Sequence, residues 1–158
     1  MRKFLGQIVE HVSVALVVVL GIVVFLQVFN RYVLKAPLTW SEELAMLLFQ
    51  WVAFLGSAVG VKRMSHFGID LIVKKMPLHL QGTIRALIPV LMGVVAFVMV
   101  FEGFRLLQFT KNEMYTALRL SHAWAYAAIP VSGLLSLFYL LQREAAEWRS
   151  RTKERRGT

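Results

Sequence analysis

Nine carboxylates and four histidines hold most of the acid–base and metal-binding chemistry of this sequence, which has no cysteine. The lack of cysteine excludes disulfides, thiolate catalysis and Cys-ligated zinc. His11, His66, His79 and His122 form neither an H-x-x-x-H pair nor H-E-x-x-H, so no zinc helix is written here. No Ser/His/Asp set, phosphate-binding glycine loop or G-x-G-x-x-G is found. Glu10, Glu42, Glu43, Glu102 and Glu113 fall at the edges of apolar runs or in connectors. Catalysis or transport inside a membrane normally needs an ionisable or metal-binding group within the spans, although ion sites can instead use broken helices and backbone carbonyls. The residues therefore predict a protein that is not an enzyme, with no catalytic, substrate-binding or metal site and no cofactor of its own.

The elements that would carry these residues are apolar. Of 158 residues, 58% are hydrophobic and 17% charged, with a mean hydropathy of +0.61. A chain this short has no interior large enough to hide so much apolar surface from water. The net charge of +9 does not indicate nucleic-acid binding, because the basic residues flank greasy runs as they do in membrane proteins. Uncharged runs cover His11–Asn30, Leu44–Val61, Ala86–Phe101 and Leu120–Gln142. A helix of about 20 residues crosses a core of roughly 30 Å. The third run is short and must lengthen over about 84–104, with Arg85 snorkelling to the head groups. The fold class predicted is an all-α membrane protein with one domain. Its four transmembrane helices cover approximately 11–30, 44–61, 84–104 and 120–142, and a basic tail covers 143–158. Val12–Phe29 alone holds 14 Val, Leu, Ile or Phe residues. It is longer than the apolar region of a signal peptide and has no A-x-A-like site, so it reads as a retained span. Strand barrels alternate in polarity, whereas these runs are continuous.

Orientation follows from lysine and arginine. If both termini are cytoplasmic, thirteen basic residues lie inside and five outside, as the positive-inside rule favours. In the first outer connector, Thr39 and Glu42 have capping-box spacing, and Trp40 suits an interfacial aromatic belt. Arg31 and Glu42 or Glu43 are placed to bridge across this connector. Between spans two and three, residues 66–76 mix apolar side chains with Asp70, Lys74 and Lys75, which predicts a short amphipathic helix on the cytoplasmic leaflet. Membrane lipids are the expected surroundings, and head groups would attract the basic tail.

Small residues mark packing faces. Gly56 and Gly60 form a G-x-x-x-G on span two, and Ala128, Ser132 and Ser136 recur every four residues on span four. Such faces let helices approach closely, within this chain or against another subunit. Gln50 is the main polar residue of span two and suits an interhelical hydrogen bond. Pro89 falls in the first turns of its span, where proline is tolerated, and Pro130 is a candidate kink.

The run Asn30-Arg31-Tyr32-Val33-Leu34, followed by Pro37-Leu38-Thr39-Trp40-Ser41-Glu42-Glu43-Leu44-Ala45, resembles the signature of the small membrane subunits of TRAP transporters (tripartite ATP-independent periplasmic, DctQ type). Phe49, Trp51 and Phe54-Leu55-Gly56 are similar to the family's second span. Arg63, His66 and Asp70 match a motif beyond it, and Trp124, Tyr126, Ile129-Pro130 and Gly133 resemble its last helix.

That resemblance implies a non-catalytic subunit of an ion-gradient-driven uptake system in the bacterial inner membrane. Expected partners are a large membrane subunit (DctM type), which moves the substrate and carries the sodium coupling, and a periplasmic substrate-binding protein (DctP type). The cargo would be an organic acid such as a C4-dicarboxylate, another carboxylate or a sialic acid. The small subunit would act as a scaffold and help the binding protein dock. Arg31, Tyr32, Pro37, Trp40, Glu42 and Glu43 are then candidates for a subunit interface or for hairpin locking. The competing readings are a stand-alone four-helix transporter, which needs a membrane-buried carboxylate, and a membrane assembly factor or enzyme.

Overall fold

Backbone amides in hydrocarbon must find partners within the protein, and an apolar run does this as a helix. The computed structural model describes residues 2–36, 38–64 and 78–156. Helix α1 spans Arg2–Tyr32, α2 spans Thr39–Met64 and α3 spans Leu78–Thr110. The single turn α4 covers Ala123–Tyr126, and α5 covers Ala128–Arg156. Among the described residues no strand forms, apart from one isolated bridge between Met114 and Ser121. Four stretches are long and apolar enough to cross a membrane: Gly6–Tyr32, Thr39–Lys62, Gln81–Thr110 and Ala123–Ala145. The chain is thus an all-α protein with four membrane-length helices. The expected amphipathic stretch 66–76, with His66 and Asp70, lies outside the described residues, as does Pro37.

The helices pack as a row. α1 lies on α2, α2 on α5, and α5 on α3, with α4 between α2 and α3. Edge helices have one main neighbour each, so α1 and α3 expose long lines of valine, leucine and phenylalanine. The central α5 is packed on both sides, and Ala128, Ser132 and Ser136 are buried along it. Lipid supplies no hydrophobic drive between helices, so close approach by small residues takes over that role. Hydroxyls in the spans donate back to their own helix: Ser13 to the Val9 carbonyl at 2.8 Å, Ser132 to Ile129 at 2.9 Å and Thr110 to Leu106 at 2.9 Å. That satisfies them without water.

The tightest seam joins α3 to α5. A Cβ added at Gly103 would lie 2.7 Å from Pro130 Cδ and 2.9 Å from its backbone nitrogen. One added at Gly133 would lie 2.9 Å from Val100 Cγ2 and 3.0 Å from the Ala96 carbonyl oxygen. Ala96 is buried in the same seam. The span-two glycines behave differently: a Cβ at Gly56 or Gly60 meets nothing within 4 Å. Among the described residues, then, the G-x-x-x-G makes no close helix contact.

Both prolines sit differently from the sequence reading. α3 begins at Leu78, which puts Pro89 well inside the helix and not in its first turns. α5 begins at Ala128, so Pro130 falls in its first turn, where a missing amide costs least. With no N–H, Pro130 cannot pair with the Tyr126 carbonyl, and the last span divides into α4 and α5 at Ala127. The helical part of this span starts at Ala123, because residues 120–122 are spent on a folded connector.

The two interhelical connectors 33–38 and 111–122 share one end of the row, the loop end. The start of α1 and the end of α5 lie at the other, the terminal end. There Lys62 Nζ and Glu10 Oε1 pair at 3.0 Å, half-buried. Gly6 leaves room for the lysine stem, which passes where a Cβ would stand. Tyr139 is 8% exposed, and its hydroxyl has no hydrogen-bond partner among the described residues. An unpaired buried hydroxyl destabilises a fold. Tyr139→Phe is therefore expected to leave the melting temperature in detergent unchanged or to raise it, a gain of up to about 1 kcal/mol. A lowered melting temperature would show that the hydroxyl has a partner.

Candidate functional site

The chain's polar chemistry gathers at the loop end. α1 ends at Tyr32, and the chain turns through Lys35 in the left-handed region (φ 52°). The Ala36 amide reaches back to the Asn30 carbonyl at 3.2 Å. α2 then begins at Thr39. Thr39 is thus the first helical residue and not the cap, and no Thr39–Glu42 exchange occurs among the described hydrogen bonds. Ser41, fully buried, donates its hydroxyl to the Leu38 carbonyl at 2.7 Å and tightens the helix start.

The second connector is a small hairpin. The Tyr115 amide donates to the Leu120 carbonyl at 2.8 Å, and the His122 amide to the Glu113 carbonyl at 2.9 Å. Arg119 turns the tip with φ 53°. The Tyr115 and His122 rings stack with centroids 3.8 Å apart. Burial pushes the Tyr115 phenol up, with Tyr126 and Glu43 adding to the effect, so the phenol stays protonated. Ser121 Oγ donates to the Lys111 carbonyl at 2.9 Å and accepts from the Ala123 amide at 3.2 Å, which ties the hairpin to the start of α4.

Glu43 clamps this hairpin to α2. Its carboxylate accepts the Ala117 amide on both oxygens at 3.0 Å and the Leu118 amide on Oε2 at 2.8 Å. Successive amides at a turn tip form a nest for an anion, and here the anion is a side chain of the same protein. The expected Arg31 bridge is not made: among the described residues no ion pair joins Arg31 to Glu42 or Glu43. The amides win because they converge on the carboxylate from a preshaped turn, whereas Arg31 is exposed. Trp51 adds a second tie, its indole N–H donating to the Trp124 carbonyl at 3.0 Å.

The remaining motif residues form an exposed rim. Arg31, Tyr32, Trp40 and Glu42 are exposed around the clamp, with Tyr32 at 72%. Arg63 lies in the last turn of α2, at the opposite end of the molecule. Gln50, expected to bond another helix, has a buried Oε1 without a donor among the described residues. Among the described residues no three His, Asp or Glu side chains are placed to hold a metal ion. Sequence reasoning missed the nest at Ala117 and Leu118, which leaves no side-chain trace. It also missed Gly103 against Pro130, although Ala96 and Gly103, seven residues apart, have the spacing of a packing seam.

Comparison with known proteins bears on the whole of this arrangement. The family model of the DctQ component of tripartite ATP-independent periplasmic transporters matches residues 20–150. The chain is 31% identical over 145 residues to the sialic acid TRAP transporter small permease protein SiaQ of Vibrio cholerae, covering 90% of this chain and 83% of that one. It is 28% identical over 148 residues to the sialic acid TRAP transporter permease protein SiaT of Haemophilus influenzae, covering 94% of this chain but only 24% of that one. It is also 28% identical over 116 residues to the isethionate TRAP transporter permease protein DctMQ of Oleidesulfovibrio alaskensis, covering 72% and 18%. The chain therefore spans less than a quarter of those two longer permeases. A match running from α1 into α5 leaves one assignment: this chain belongs to the DctQ family of TRAP transporter membrane components, which are transport subunits and not enzymes.

Proposed function

We propose that this chain is a small, non-catalytic scaffold subunit of an ion-gradient-driven uptake system for organic acids. The observation that carries the reading is the pair of longer permeases, in which a segment similar to this chain makes up 24% and 18% of one polypeptide. The remainder of such a polypeptide corresponds to the large membrane subunit with which this chain associates. That subunit moves the substrate and holds the sodium coupling. Both termini are cytoplasmic in the bacterial inner membrane, which puts the loop end in the periplasm. There the rim of Arg31, Tyr32, Trp40 and Glu42 around the clamped hairpin helps a periplasmic substrate-binding protein dock. A carboxylate, a C4-dicarboxylate or a sialic acid is the cargo. A stand-alone transporter would need an uncompensated carboxylate in the membrane, and Glu10 is instead paired with Lys62.

Proteoliposomes test this. Uptake is expected only when the chain, its large subunit and its binding protein are combined under a sodium gradient, and the chain alone is expected to accumulate nothing. Trp40→Ala with Glu42→Arg should lower uptake by roughly tenfold, the effect of about 1.4 kcal/mol lost from docking, without changing the melting temperature of the chain. Uptake by the isolated chain would overturn the reading.

A further inference from the structure

The two connectors of the loop end each turn through a residue in the left-handed region, and both residues are cations: Lys35 (φ 52°) and Arg119 (φ 53°). No other described non-glycine residue has a positive φ. Lys35 stands just past α1, where helices commonly end on glycine. Arg119 closes the turn of the second connector, its amide donating to the Tyr115 carbonyl at 3.1 Å. Hairpins of this kind also place glycine at the left-handed position. A residue with a Cβ is strained there and glycine is not. Yet the fold makes no use of either side chain. Both residues are exposed, and neither side chain has a polar partner among the described residues. Strain kept at a position whose side chain does nothing inside the fold points to a use outside it.

The two cations border one place, the start of α2. Lys35 precedes Thr39, the first residue of α2, by four residues. Arg119 follows Leu118, whose amide is held at 2.8 Å by Glu43, four residues inside α2. The surrounding charge has the same sign. Within 31–43 and 111–122, Arg31 and Lys111 add two more exposed cations, against the exposed carboxylates of Glu42 and Glu113. Glu43 is turned onto backbone amides. The loop end therefore presents four cations and two carboxylates to its surroundings.

We infer that Lys35 and Arg119 are fixed cationic contacts for carboxylates on the docking face of the periplasmic substrate-binding protein. The inference rests on the docking reading above. It adds the chemistry of the partner, an acidic surface, and two residues outside the rim named there. A lipid head group is the competing anion. Head groups are fluid, and a lysine or arginine stem reaches them from any backbone conformation. A constrained left-handed turn serves a partner of fixed shape. Charges at the edge of an interface act chiefly on the rate of encounter and on its salt dependence.

Association of the binding protein with the complete membrane complex in nanodiscs tests this. Lys35→Gly with Arg119→Gly removes both charges and relieves both turns, so the isolated chain should melt at or above the wild-type temperature. This double variant is expected to slow association roughly tenfold at low salt, and to lose most of the decline in rate that the wild type shows as salt is raised. Lys35→Gln with Arg119→Gln keeps the backbone constraint and should slow association equally. Lys111→Ala removes an exposed cation from an ordinary backbone position and should have the smaller effect. Association of either double variant at the wild-type rate would overturn the inference, as would an equal loss in Lys111→Ala. A loss seen in nanodiscs of anionic lipid but absent from those of neutral lipid would assign the two cations to head groups and overturn it too. In each of these outcomes the docking reading stands, because the wild-type complex still captures the binding protein. A wild-type complex that captures none would overturn both.

Discussion

Replacing Gly103 with leucine is expected to part α3 from α5. The first atom of the new side chain would meet the Pro130 ring at 2.7 Å and its backbone nitrogen at 2.9 Å. A proline ring in the first turn of a helix cannot swing aside, so relief requires the helices to separate. Overpacking of this kind costs about 3 kcal/mol. In a row it also removes an edge, because α3 has no other long neighbour. The melting temperature in detergent should fall steeply, and a cysteine pair engineered across the seam should no longer oxidise to a disulfide. Gly133→Leu should act similarly, through Val100 and Ala96. The two will not add, since both open the same seam. Gly56→Leu with Gly60→Leu is the control: both positions are open, and the isolated chain should melt as wild type. A wild-type melting temperature for Gly103→Leu would show that the seam is formed differently.

Why the seam escaped the sequence while the spans did not is a matter of which signal each leaves. An apolar run of membrane length has few stable fates, so α1 and the apolar parts of α2, α3 and α5 were legible from residue type alone. The pattern of a G-x-x-x-G is just as visible, but it records only that close approach is permitted. The structure uses Gly103 and Gly133 instead, one per helix and each opposed to a bulky residue of the other. That is knob-into-hole chemistry between segments about 30 residues apart, and no local spacing reports it. The Pro130 break was visible as a candidate kink. Its use as a knob depends on where α5 starts, which the folded connector decides. Charge was legible in kind and misassigned in partner. Glu43 was read as facing Arg31 because both flank one short connector, yet backbone amides from 74 residues away in sequence took the carboxylate. Main-chain donors carry no residue letter, so a sequence cannot announce them.

Glu43→Ala is accordingly expected to release the outer hairpin while the four long helices stay folded. The carboxylate is the only side chain among the described residues that engages the Ala117 and Leu118 amides, and hydrogen bonds to a charged acceptor are roughly twice as strong as neutral ones. Without it those amides turn to water, and Arg119 has less to hold its left-handed conformation, which a non-glycine residue adopts at a cost. Hydrogen exchange at Ala117 and Leu118 should rise to the rate of an open loop, and trypsin should cleave after Lys111 and Arg119 where the wild-type hairpin resists. Glu43→Gln should fall between, because an amide keeps one acceptor but turns an N–H₂ towards donors. The charge swap Arg31→Glu with Glu43→Arg separates this arrangement from a direct ion pair. A pair would be restored by the swap, whereas a nest of amides would face a cation and stay open. Recovery of protease resistance in the swapped chain would return the clamp to Arg31. Continued cleavage, with uptake lost in the assembled system, would fix the hairpin as the element that Glu43 holds in shape for docking.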